Sequence, residues 1–232
     1  MKELVLIPGL NNTRAVFDRV IPALPATVRA HAPDCPPLNR VEAIAEALAP
    51  ALPERFWLVG FSFGGYVAMA LLDALPQRVE GIALVCTTPR QDLPERKAAR
   101  ERSMATVRAG GYLAMVEASA PNTMAPDALR DPVLAAQRRG MVQAYGAERY
   151  LAHSEAALHR PDRLHLLRAD LPTLLVGATE DRVFPLALAR QCAQDLPHAR
   201  LEVIEGSGHL VPMERPEALA GALAHWMGLP PR

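Results

Sequence analysis

Residues 56–72 read FWLVGFSFGGYVAMALL. A short, continuous apolar run (56–59) leads into Gly60-Phe61-Ser62-Phe63-Gly64, and a longer apolar run follows. The first run reads as a strand buried on both faces, because it lacks the alternation of a strand with one wet side. Residues 66–75 read as a helix apolar on nearly all sides, suited to packing against the centre of a sheet. Between them Gly60-x-Ser62-x-Gly64 must make a sharp turn. Side chains at 60 and 64 would collide there, so both positions need glycine. A serine in such a turn is held in a strained conformation, at about 1–3 kcal/mol. It also sits beside the free N–H groups and positive dipole end of a helix, which favour a developing anion. Two readings are open: a close-packed turn with a bystander serine, or a hydroxyl held out as a nucleophile.

The rest of the chain supplies context for that turn. Runs 4–7, 27–31, 81–86, 171–176 and 201–204 also read as buried parallel strands. Helical patterns lie between them, including 185–195 and 216–226. Asn39-Arg40-Val41-Glu42 resembles a capping box opening a helix through Val41, Ile44, Ala45 and Leu48. Alternation of this kind implies right-handed crossovers and a mostly parallel sheet with helices on both faces, an α/β fold. One region departs from it. From about 90 to 170 only helical segments appear: 92–109, 112–120, 131–144 (Asp131 as cap, Pro132 at the first helical position) and 147–159. Gly110-Gly111, Pro121, Pro126 and Pro161 punctuate them. The expected organisation is therefore a core of residues 1–89 and 171–232, with a helical cap at 90–170.

A serine hydroxyl is a weak nucleophile and needs a base. His31, His153, His159, His165, His198 and His225 lie in strand ends, helices or surface segments without a catalytic signature. His209 follows the last strand in a loop of small residues, Glu205-Gly206-Ser207-Gly208-His209. Open parallel sheets bind ligands at the carboxyl ends of their strands, and Ser62 lies at that same edge. A carboxylate must orient the imidazole. Asp181 follows the strand at 171–176 and is the choice, with Glu180 in reserve. Backbone N–H donors for an oxyanion are expected at Phe63, directly after the serine, and at Leu10, in the turn Pro8-Gly9-Leu10-Asn11-Asn12 after the first strand.

Composition excludes other classes. The chain has 232 residues, 50% of them hydrophobic, enough for one sizeable core. Lys+Arg and Asp+Glu are equal at 25 each, so no global field draws nucleic acid or an anionic membrane. The 3 cysteines have no metal-ligand spacing and read as buried free thiols in a reducing compartment. The start, MKELVLIPGL, lacks the long apolar stretch of a signal peptide, and no run approaches the ~20 residues of a membrane span. A cytoplasmic protein is expected. Its oligomeric state is not set by any of these features.

LVLIPGLNN (4–12), VGFSFGGYVAMAL (59–71), PQRVEGIALV (76–85), LPTLLVGATEDRVFP (171–185) and VIEGSGHLVPMERPE (203–217) together resemble the α/β-hydrolase family, in its small bacterial branch with a helical cap. Asp181-x-Val183-x-Pro185 fits the family's acid context, and Gly208-His209 with Glu214-Arg215-Pro216 fits its histidine context. Pro8-Gly9 replaces the His-Gly of many relatives, and the family's first hairpin is missing, so six strands are expected rather than eight. The resemblance implies a carboxylesterase-like serine hydrolase with triad Ser62, Asp181 and His209 and a small-molecule acyl substrate. It implies no cofactor or metal. Cofactor-independent C–C cleavage, lyase or perhydrolase chemistry on the same triad is the alternative; a non-catalytic receptor is another. Ser62 at the elbow argues against an aspartate-nucleophile dehalogenase. Pocket contacts are expected from the cap at Leu113, Met115, Met124, Met141 and Tyr145. Arg90, Arg96, Lys97, Arg100, Arg102 and Arg108 form a basic stripe suited to an acyl-carrier protein, although a solvated helix face balanced by Glu95 and Glu101 explains it more simply.

Overall fold

A computed structural model describes residues 1–230. Six strands form one parallel sheet: β1 (Lys2–Ile7), β2 (Val28–His31), β3 (Phe56–Phe61), β4 (Val79–Val85), β5 (Thr173–Ala178) and β6 (Arg200–Ile204). Their order across the sheet is β2-β1-β3-β4-β5-β6, with every pairing parallel. The direction of winding reverses between β1 and β3. Ser62 follows β3, at the place where such folds open a crevice beyond the strand ends.

The described residues form ten α-helices. They are α1 (Val41–Leu48), α2 (Phe63–Ala74), α3 (Pro94–Arg108), α4 (Tyr112–Ala118), α5 (Ala120–Thr123), α6 (Pro126–Leu129), α7 (Pro132–His159), α8 (Leu186–Asp195), α9 (Val211–Glu214) and α10 (Pro216–Trp226). The period-2 alternation of the strands decides which face each packs on. Val5, Ile7, Leu58, Ile82 and Leu84 share a cluster with α1, α2 and α8 residues such as Ile44, Val67, Leu71 and Cys192. Leu4, Leu6, Val59, Ala83 and Val176 face the other way, against Phe17, Leu219 and Leu223. Over β1, β3, β4 and β5 both sheet faces are dry, which is why these strands carry continuous apolar runs. The edge strands β2 and β6, also expected to be buried, are only partly covered because each has one neighbour. Each fully buried Leu, Ile or Val contributes roughly 1.5–3 kcal/mol.

Between β4 and β5 the described residues form helices α3 to α7 and no strand. Asp131 caps α7 as expected, accepting from the Val133 and Leu134 amides. The helix path breaks at Gly146, where φ is 78°. Pro121 and Pro126 do not simply interrupt helices; they sit in the first turns of α5 and α6. The N-terminus of α1 departs from the expected capping box. Arg40 occupies the cap position without a side-chain cap bond, and Asn39 is one residue too early. Glu42 is drawn instead to the Arg163 guanidinium at 2.6 Å.

The basic stripe also divides. Arg100 and Arg160 both bind the buried Asp92 carboxylate, at 2.9 and 2.8 Å, and Arg160 stacks 3.6 Å above the Tyr66 ring. Arg90 binds Asp195 at 2.8 Å. Arg90 and Arg100 therefore leave the expected solvated stripe, whereas Arg102 and Arg108 stay exposed on α3 with Glu95 and Glu101. The three cysteines are free and buried. Among the described residues no helix is long and apolar enough to cross a membrane.

Candidate active site

Close packing explains the elbow. A Cβ on Gly64 would stand 2.1 Å from the Ile7 carbonyl oxygen, and one on Gly60 would stand 2.5 Å from Gly65 Cα. The clash at Gly64 is with the exit of β1, beyond the turn itself, so this glycine presses the elbow against the Pro8-Gly9-Leu10 loop. Gly65 is equally constrained by Thr87 Cγ2, 2.3 Å from its would-be Cβ. Ser62 has φ 51° and ψ −118°, the strained conformation expected of it. Its amide donates to Val85 O at 2.9 Å, which ties the turn to β4.

Three side chains then meet at the carboxyl edge of the sheet. His209 Nε2 lies 2.8 Å from Ser62 Oγ, and His209 Nδ1 lies 2.7 Å from Asp181 Oδ2. The carboxylate accepts, so Nδ1 carries the proton and Nε2 is left to accept from the serine hydroxyl. Asp181 Oδ1 accepts from the Val183 and Phe184 amides at 2.8 and 2.7 Å. Asp181 and His209 are 4% and 5% exposed, which keeps this chain of bonds out of bulk water. Glu180, the reserve acid, is exposed and takes no part.

With that geometry in place, the match to known proteins is direct. The family model described as "Alpha/beta hydrolase family" matches residues 4–222. The chain belongs to the alpha/beta hydrolase family. A pimeloyl-[acyl-carrier protein] methyl ester esterase of Aromatoleum aromaticum is 30% identical, covering 94% of this chain and 95% of that protein. One from Neisseria meningitidis is 28% identical over 95% of this chain and 75% of its own length. Among solved structures, an esterase from Thermogutta terrifontis superposes with a TM-score of 0.90 at 28% identity, covering 98% of this chain and 90% of that one. An enol-lactonase from Burkholderia xenovorans shares the fold, with a TM-score of 0.85 at 22% identity over 98% of this chain and 91% of that one.

In this α/β-hydrolase, the loop carrying His209 is held by a residue that the sequence reading quoted only as part of a motif. Glu214 is buried. Its Oε2 accepts from the Gly208 and Ala125 amides, both at 2.9 Å, and Oε1 accepts from the Leu210 amide at 3.1 Å. Two of these amides flank His209; the third belongs to the segment before α6. Burial pushes the Glu214 carboxyl up, while the three amides pull the other way. Gly208 permits the approach, since a Cβ there would meet Ala125 N at 2.6 Å.

On the opposite side of Ser62, neither the Leu10 nor the Phe63 amide has a protein acceptor among the described residues. Phe63 is the first residue of α2, where an N–H has no intrahelical partner. Asn12 shapes the Leu10 loop: its backbone N–H donates to Gly9 O at 3.2 Å and its side-chain amide donates to Leu10 O at 2.7 Å.

The expected pocket residues scatter. Met124 and Met141 are buried in the cluster that contains Phe61 and Leu210, next to the His209 loop. Tyr145 is buried with its hydroxyl on His153, and Met115 packs partly buried beside it. Leu113 is 51% exposed and faces solvent, which corrects its assignment to the pocket. A cavity of about 750 Å³ lies around Trp57, Val79, Glu80 and Pro172, at the amino ends of the strands and away from Ser62. It is open and polar, and Ser62, Asp181 and His209 are all at the other edge.

Cys86, Asp181 and His209 place potential ligand atoms within 4.8 Å of one another. A metal would have to break the Asp181–His209 bond. The Cys86 thiol is also poorly suited, because burial and then the Asp181 charge push its pKa well up and keep it protonated.

Proposed function

We propose that the protein is a serine hydrolase that cleaves a carboxylic ester, thioester or lactone through an acyl-enzyme on Ser62. The observation that carries this reading is the chain of short contacts from Ser62 Oγ through His209 to Asp181, 2.8 and 2.7 Å long. In the first step His209 Nε2 takes the Ser62 proton as Oγ attacks the carbonyl carbon. Asp181 stabilises the imidazolium without taking its proton. The Leu10 and Phe63 amides hold the oxyanion; one such donor is typically worth about 2.7–4 kcal/mol. His209 returns the proton to the leaving alcohol, and water cleaves the acyl-enzyme by the same route. The scheme calls on no cofactor. Residues 1–89 and 171–232 form the catalytic core in this reading, and 90–170 is the cap that shapes the acyl site, with Met141 and Met124 as its adaptable apolar wall.

The named relatives favour a methyl ester carried on an acyl-carrier protein as a second reading of the substrate. Arg102, Arg108 and Arg139 are exposed on α3 and α7 and have no ion-pair partner among the described residues. They are the cations available to an acidic carrier.

Turnover of p-nitrophenyl esters across acyl lengths, in wild type and Ser62→Ala, tests the proposal. Wild type should hydrolyse a preferred chain length, and the variant should lose nearly all of that rate. Undiminished turnover in the variant removes Ser62 as the nucleophile, and no turnover of any ester in wild type favours the C–C cleavage, lyase or receptor alternatives.

A further inference from the structure

His153 carries no catalytic signature in the sequence, yet it is 1% exposed and fully bonded. Its Nε2 lies 2.8 Å from Pro36 O and its Nδ1 lies 2.5 Å from the Tyr145 hydroxyl. A carbonyl only accepts, so Nε2 carries the proton and Nδ1 accepts from Tyr145. The imidazole is thereby fixed as one neutral tautomer. Burial pushes its pKa down to about 4, in agreement with that assignment. Its ring stacks on Phe63, with centroids 4.7 Å apart and planes 14° from parallel.

The Tyr145 hydroxyl gives its proton to His153, and its ring is buried with Tyr112 in a cluster against which Leu10 packs. Tyr112 reaches the next residue of the loop directly: its Oη lies 3.1 Å from both Asn11 Oδ1 and Val142 O. Asn11 adopts a left-handed conformation, φ 62°, which asparagine tolerates better than other non-glycine residues and which turns its carboxamide to Tyr112. Asn11 directly follows Leu10. Within this loop the Asn12 amide pins Gly9 O, and in a trans peptide the Leu10 N–H points away from that oxygen. The orientation of the Leu10 amide therefore depends on how the two residues after it are held.

We propose that Tyr145, Tyr112 and His153 are positioning residues of the oxyanion hole, through which helices α4 and α7 hold the Leu10 loop and the Phe63 side chain in one frame. The inference rests on the serine-hydrolase reading. A buried phenol–imidazole pair is a poor choice for packing alone. Phenylalanine at 145 would fill the same space without desolvating a hydroxyl, so the polar atoms are kept for the geometry they impose. Tyr145 is thus assigned to the loop rather than to the substrate.

Tyr145→Phe and Tyr112→Phe test this, because each removes one oxygen and leaves the ring. The readouts are kcat and KM for a short-chain p-nitrophenyl ester, and Ki for a trifluoromethyl ketone, whose hemiketal oxygen occupies the oxyanion position. Each variant should lower kcat about 10- to 100-fold with KM within about twofold, and weaken Ki by a factor similar to the kcat loss. A kcat and Ki within twofold of wild type in both variants, with or without a lower Tm, would reduce the network to packing and overturn the proposal. Should Tyr145→Phe fail to fold, Tyr112→Phe alone decides in the same way. Ser62→Ala in the same assay separates the two ideas. If Ser62→Ala keeps its rate, the hydrolase reading falls and this one with it; if only the tyrosine variants keep theirs, this one alone falls.

Discussion

The two sides of Ser62 are built by different physics. On one side, Asp181 and His209 extend from the ends of β5 and β6, and Glu214 binds the amides on both sides of His209. Charge-assisted bonds, buried in the core, set this side. On the other side, the Leu10 loop is arranged by neutral groups: the Asn12 amide, the Asn11 carboxamide bonded to the Tyr112 phenol, and the Tyr112–Tyr145 cluster against which Leu10 packs. Gly64 joins the sides, since its missing Cβ lets α2 seat against Ile7 and Pro8. The difference teaches that the base is a property of the sheet, whereas the proposed oxyanion hole is shared between the sheet and the helical segment. Sequence change in that segment can then tune rate as well as substrate choice.

The sharpest way to break the charged side is at its reacting end. Ser62→Ala should lower kcat by roughly 10⁴–10⁶ with the fold intact, read from initial rates and circular dichroism. Asp181→Asn should cost about 10⁴-fold, because an amide there favours the wrong imidazole tautomer. Both losses should exceed anything produced by Tyr145→Phe. A larger loss from the tyrosine would invert the comparison.

Glu214→Gln probes how the charged side is held. The amide keeps one acceptor oxygen and turns an NH₂ toward backbone donors, so at least one buried N–H is orphaned, at about 1–3 kcal/mol. Denaturant unfolding should show that loss of stability, and kcat should fall roughly 10-fold as the His209 loop relaxes. A variant with wild-type stability and rate would mean that Gly208 and Leu210 need no carboxylate.

On the neutral side, pH supplies a probe of stability. His153 is pushed by burial from 6.5 down to about 4. Between those values the unfolded chain binds a proton that the folded one refuses. Stability is therefore full above pH ~6.5 and falls as pH drops toward ~4, by at most about 3 kcal/mol. The Pro36 carbonyl and the Arg149 guanidinium act on the same ring in opposite directions. Urea unfolding at pH 7 and pH 4.5 should show a steeper loss in wild type than in His153→Gln. Equal losses would place the acid sensitivity elsewhere, for example in the Asp92–Arg160 cluster.

How far each side can be read in the sequence follows from the same contrast. The base side is legible because every element is local: a strand, a loop of small residues, and then Ser62, Asp181 or His209. Short apolar runs also reveal all six strands, although only β1, β3, β4 and β5 are dry on both faces. Glu214 is half-legible; in PMERPE it looks like an ordinary acid at a helix start, and only the fold folds it back onto Gly208. His153 is opaque. Its neighbours Phe63 and Pro36 are distant in the chain, and an isolated histidine in a helix gives no sign of them. Helices α5 and α6 are a single turn each, too short for a 3.6-residue period to register. The expected capping box fails for a related reason: one residue of register moves Asn39 off the cap, and a distant arginine claims Glu42.

The central claim is that Ser62 is the nucleophile activated by His209. Incubation with a fluorophosphonate, followed by peptide mass mapping, tests it most directly. A single adduct on Ser62 is expected, absent in Ser62→Ala and formed far more slowly in His209→Ala. Ester turnover by a protein that takes up no label at Ser62, or an adduct confined to another residue, would contradict it.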